Sequence, residues 1–159
     1  MSLQKSEAIK RCEIVQQKIP QYLGFLEEIG YKRKSEITDG GLVGLDSKTI
    51  YYYNEISRKL IISYLPLNHK NTFIDAFVVD FYNTPLDGKY GDSLEFDLYI
   101  EKYAPDFDPN FFRLSCPDLT LFESKLEEFL KKFVEYLKQY AMEIITGKKY
   151  ETGFYTQRM

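Results

Sequence analysis

With 159 residues, 44 % of them hydrophobic, the chain is long enough to build one domain around a continuous core and needs no disulfide or metal to hold it. A formal net charge of -3 gives no general attraction to phosphate, and Lys32-Arg33-Lys34 is the one evident basic run, so nucleic-acid binding is not expected. No apolar run approaches the roughly 18 residues of a membrane span and no signal-peptide pattern opens the chain, so the expectation is a cytoplasmic protein without membrane contact.

In chain order, Ile9, Cys12, Val15, Ile19, Tyr22, Leu23, Leu26 and Ile29 recur at helical spacing from about Ser6 to Ile29. Pro20 interrupts the run, but the apolar register continues across it, which predicts one kinked helix or two abutting ones. Gly30 then stands where a helix C′ residue belongs. Tyr31 to Ile37 reads as a short charged strand at a sheet edge, and Gly40, Gly41 and Gly44 predict a loop. Thr49–Tyr53 and Lys59–Leu65 flank a five-residue connection and form a hairpin. Pro66 and Asn68-His69-Lys70-Asn71 give the next turn. Thr72–Tyr82 is the most apolar strand and is expected to be central. After turn signals at Asp87-Gly88 and Gly91-Asp92, Leu94–Tyr103 alternates with period two: Leu94, Phe96, Leu98 and Ile100 on one side, Glu95, Asp97, Tyr99, Glu101 and Tyr103 on the other. A strand with one wet face is the expectation.

Pro105, Pro109 and Pro117 punctuate a loop in which Phe107, Phe111 and Phe112 are expected to tuck against the core. The longest pattern follows, from Asp118 to Thr146, with Phe122, Leu126, Phe129, Leu130, Phe133 and Leu137 on one stripe. Thr120 and Glu123 have capping-box spacing, Gly147 stands at C′, and Glu127–Lys131 and Glu128–Lys132 are i,i+4 pairs worth roughly 0.3 kcal/mol each. At 1.5 Å per residue such a helix is about 40 Å long and needs an apolar surface of matching length. A single α+β domain follows: an N-terminal helix, an antiparallel meander of four to five strands, and a long C-terminal helix on the same sheet face. Residues 150–159 form a tail.

No motif announces chemistry. Cys12 and Cys116 match no zinc or redox spacing, and no metal or cofactor is expected. His69, the sole histidine, lies in a polar turn, which argues against Cys-His or Ser-His catalysis. Asp106 and Asp108 lack the glycine and distal glutamate of an EF-hand. Gly40-Gly41-Leu42-Val43-Gly44 lacks the lysine and strand-to-helix context of a phosphate loop. What remains is the open sheet face. Asp80, Glu95, Asp97, Tyr99, Glu101 and Tyr103 are placed there as a docking surface, since carboxylates steer a basic partner and tyrosines supply rigid contact area. Tyr51, Tyr53 and Tyr82 are further tyrosines for that face, unless strand propensity alone explains them. Two alternatives use the same region or its neighbour. Paired carboxylates about 5–9 Å apart can divide acid and base roles in a small enzyme, and an aromatic-lined cavity between sheet and helices can hold a small ligand.

Phe25-Leu26-Glu27-Glu28-Ile29-Gly30-Tyr31-Lys32, followed by Ile50-Tyr51-Tyr52-Tyr53-Asn54 and Arg58-Lys59-Leu60-Ile61-Ile62, resembles in layout many small uncharacterised bacterial α+β proteins. Some of these are similar to immunity proteins that neutralise a toxin made by the same cell. The resemblance implies a non-enzymatic protein-binding role. A protein partner is expected, with a homodimer as a further arrangement. It carries over no individual residue.

Overall fold

The computed structural model describes residues 3–42, 45–54, 58–69, 72–83 and 93–149. Gly44, the turns expected at residues 55–57 and 87–92, and the tail from residue 150 lie outside the described residues.

Helix α1 (Leu3–Glu28) is one element with Pro20 inside it. Cys12, Val15, Ile19, Leu23 and Leu26 form its buried stripe. Gly30 ends it at φ 106°. The Gly30 amide donates to Glu27 O and the Tyr31 amide to Leu26 O, at 3.2 and 3.0 Å, the paired bonds of a Schellman motif. Gly147 closes the C-terminal helix in the same way, with its own amide on Ile144 O and that of Lys148 on Glu143 O.

The chain then forms β1 (Lys32–Leu42), β2 (Leu45–Asn54), β3 (Arg58–His69) and β4 (Thr72–Asn83), an antiparallel meander in sequence order. Gly40 and Gly41, expected in a loop, belong to β1. Its register with β2 shifts between Asp39 and Leu42, the stretch that holds both glycines. Pro66, Asn68 and His69, expected in a turn, instead belong to β3 and pair with Asp75, Phe73 and Thr72, while Lys70 and Asn71 lie outside the described residues.

The outer edge of β4 is shared. β5 (Ser93–Glu95) takes residues 80–82, and the two-residue β6 (Arg113–Leu114) takes Asp75 and Ala76. The strand expected over Leu94–Tyr103 is therefore corrected: after Glu95 the chain turns into helix α2 (Phe96–Tyr103). The same residues satisfy both periods, because Phe96, Tyr99, Ile100 and Tyr103 lie at i, i+3, i+4 and i+7. Packing decides for the helix. Phe96, Tyr99 and Ile100 are buried, and the Phe96 ring meets Phe81, Phe112 and Phe133 at 5.8, 6.1 and 5.7 Å.

Helix α3 (Leu119–Tyr140) is capped by Asp118, whose carboxylate accepts the Leu121 amide at 2.8 Å; Thr120, expected at the cap, lies inside the helix. The helix stops short of the expected Thr146 because Ala141 leaves helical angles, and a single turn, α4 (Met142–Ile145), follows.

Both long helices cover one sheet face, as the sequence predicts. Register places Thr49, Tyr64 and Phe77 in one cross-strand row. Thr49 Oγ1 donates to Cys12 O of α1 at 3.3 Å, while Tyr64 and Phe77 stack against Phe122 and Phe129 of α3 at 5.7 and 4.5 Å. Lys18 ties the helices together through Glu127 and Glu123, at 2.8 and 3.3 Å. Lys132 likewise reaches Asp106 at 3.0 Å rather than the expected Glu128. Phe111 and Phe112 close the end of the core against Phe129, at 4.9 and 5.9 Å, as their loop position suggests.

Candidate functional site

Strand alternation sends Leu60, Ile62 and Tyr64 of β3 and Phe77, Val79 and Phe81 of β4 into the core. Ile61, Ser63 and Leu65, with Val78 and Asp80, therefore face the opposite side, away from both long helices. Cross-strand pairing aligns Ser63 with Val78 and Ile61 with Asp80. Val78 is 42 % exposed in the middle of this surface.

The shared edge of β4 indents that surface. Between the segments that β5 and β6 occupy, Val78 and Val79 have no strand partner on that edge among the described residues. A cleft of about 290 Å³ opens there. It is lined by Ala76 and Val78 of β4, by Asp97 and Glu101 of α2, and by Phe107, Phe112 and Arg113 from the segment running into β6. The carboxylates share a wall because an i,i+4 pair lies on one helix face. Partial burial raises the Asp97 pKa above the ordinary carboxylate value. The charges of Glu95 and Glu101 add to the rise, and the amides of Leu98 and Asp97 oppose it. Glu95 stands directly opposite Asp80 across the β4–β5 pair.

The six residues expected on one sheet face are thus divided. Asp97 and Glu101 meet in the cleft, with Asp80 and Glu95 on the adjoining strands. Tyr99 and Tyr103 are corrected to a separate place, because they project from other sides of α2. Tyr99 is 1 % exposed and donates its hydroxyl to Tyr140 O at 2.7 Å. Together with Tyr103, Tyr140 and Met142 it lines a second depression of about 350 Å³, where Lys149 Nζ lies 5.7 Å from the Tyr103 ring centroid and 3.7 Å from Glu143. Tyr51 and Tyr53, also candidates for the open face, are buried on the core side.

One polar constellation escaped the sequence reading. Arg11 and Asp75 are both fully buried and paired, Nη1 to Oδ2, at 2.9 Å. The Tyr64 hydroxyl donates to the other Asp75 oxygen. Arg11 Nη2 donates to Cys116 O at 2.7 Å and to Glu7 at 3.0 Å, and the guanidinium lies 5.1 Å over the Phe122 ring. Burial disfavours the Arg11 charge, but Asp75 and Glu7 more than offset it and raise its pKa. Two signals existed: a single carboxylate inside the apolar Phe73–Val79 run, and an arginine within the apolar stripe of α1. The enclosed group holds α1, β3, β4 and the approach to α3 together, and Cys12 beside it is an inert thiol pushed up to about 11 by burial.

No family model, curated protein or solved structure matches the chain. No helix is long and apolar enough to cross a membrane, and among the described residues no group of three or more His, Cys, Asp or Glu is placed to hold a metal ion.

Proposed function

We propose that the chain is a non-enzymatic protein-interaction module that receives a basic segment of a protein partner on the sheet face the helices leave uncovered, in the manner of a toxin-neutralising immunity protein. One observation carries this reading: exposed Val78 adjoins a cleft walled by Asp97 and Glu101, an apolar contact next to negative charge. Asp80 and Glu95 extend the acidic border along the strands.

The cleft also gives the enzymatic alternative its best support, since it contains two carboxylates. Their placement argues against it. Carboxylates that divide acid and base roles flank a scissile bond, whereas Asp97 and Glu101 project from one wall of one helix. The volume also lies at the small end of the range for small-molecule sites.

Charge reversal tests the proposal. The variant carrying Asp97→Lys and Glu101→Lys should retain native circular dichroism and lose, by at least about tenfold, the partner that the unmodified chain captures from its source cells. Undiminished capture by the variant would refute the docking assignment, and turnover of a small molecule by the unmodified chain would favour the enzyme.

A further inference from the structure

The cleft beside α2 is narrow, mixed in character and asymmetric in charge, and these properties together specify its occupant. We propose that it is the pocket for a single arginine side chain of the basic partner segment, an assignment that rests on the protein-binding reading above and narrows it to one residue type.

Size sets the first constraint. About 290 Å³ accommodates one long side chain and falls below most drug-sized sites. Ala76 and Val78 are apolar and suit a methylene stem. Phe107, half-buried, adds an aromatic ring on which a planar guanidinium stacks. At the near wall, Asp97 and Glu101 are one helical turn apart and offer two anionic acceptors. Among the described residues neither carboxylate is engaged in a salt bridge.

Arginine suits this setting better than lysine for two reasons. Its guanidinium is more weakly hydrated than an ammonium and so gives up less on leaving water for the cleft, and its donor fork addresses two acceptors at once. Arg113 also lines the cleft, and its charge disfavours a second cation, so the segment presents a single arginine at this point.

Amide NMR with small probes tests this directly. Acetyl-arginine-methylamide should shift the amides of Ala76, Val78 and Glu101 in a saturable manner. Acetyl-citrulline-methylamide, nearly the same shape without the charge, should not, and the acetyl-lysine analogue should bind more weakly. Asp97→Asn together with Glu101→Gln should weaken the arginine probe by about tenfold or more, since charge-assisted hydrogen bonds are lost. No saturable shift, an equal response to citrulline, or a preference for lysine would overturn the arginine assignment. Each of those failures leaves the protein-binding reading intact, because that reading is decided separately by whether charge reversal at Asp97 and Glu101 loses the captured partner.

Discussion

Arg11 and Asp75, 64 residues apart in sequence, form an ion pair in which both side chains are fully shielded from water. Tyr64 also donates to Asp75, and Glu7 and the Cys116 carbonyl accept from Arg11, so the pair ties the first helix to the central strand. Removing Arg11 alone leaves a carboxylate buried without its cation. Arg11→Met should therefore destabilise the chain by about 3–5 kcal/mol in urea unfolding. Adding Asp75→Asn should recover much of that loss, since the amide oxygen still accepts the Tyr64 hydroxyl and no fully buried charge remains, Glu7 being partly exposed. A double variant as unstable as the sum of the single ones would show that the two residues do not act as a pair.

Phe129 is the main anchor of α3. It is 5 % exposed, and its ring lies 4.5 Å from Phe77 and 4.9 Å from Phe111. Phe129→Ala should cost about 3–5 kcal/mol by chemical denaturation. Phe129→Lys should abolish cooperative unfolding, because the new charge has no partner in that aromatic layer.

The two cysteines are predicted to be silent. Both are fully buried, and burial raises both thiol pKa values, that of Cys12 to about 11. Above neutrality the thiolate remains scarce until the folded pKa is approached. Native protein at neutral pH should give no rapid reaction with a thiol reagent, whereas denatured protein should react at both sites. Fast native labelling at either cysteine would show that it is accessible.

Lys18 holds Glu127 and Glu123 across the interface of α1 and α3. The hydrogen bond from Lys18 holds the Glu127 pKa below the ordinary glutamate value. A depressed folded pKa means that the contribution is complete above the unfolded glutamate pKa and is lost as pH falls through the folded one. Carboxyl NMR titration should therefore show Glu127 titrating at unusually low pH and returning toward the ordinary range in Lys18→Met. An unchanged Glu127 titration in that variant would remove Lys18 as the cause.

Much of the architecture is legible in local pattern. Gly30 and Gly147 mark helix ends because only a left-handed backbone closes a Schellman motif there, and the stripe through Phe122, Phe129 and Phe133 announces a buried helix face. Residues 96–103 read as a strand in sequence because their apolar positions fit periods of two and of 3.6, and only burial of Phe96 among Phe81, Phe112 and Phe133 separates the two. The cleft was illegible for a different reason. Its position depends on β5 and β6 dividing one edge of β4, a long-range event with no local signature, although it does unite two of the expected carboxylates, Asp97 and Glu101. The Arg11–Asp75 pair is likewise a product of tertiary packing.

Photo-crosslinking from Val78 tests the central claim most directly. A photoreactive amino acid placed at Val78, with Leu121 on the exposed surface of α3 as the control position, should capture in source cells a protein that attaches through an arginine-bearing segment from Val78 and not from Leu121. Adding Asp97→Lys and Glu101→Lys should abolish the product. Equal crosslinking from both positions, products only with a second copy of the chain, or no product from Val78 would contradict the account.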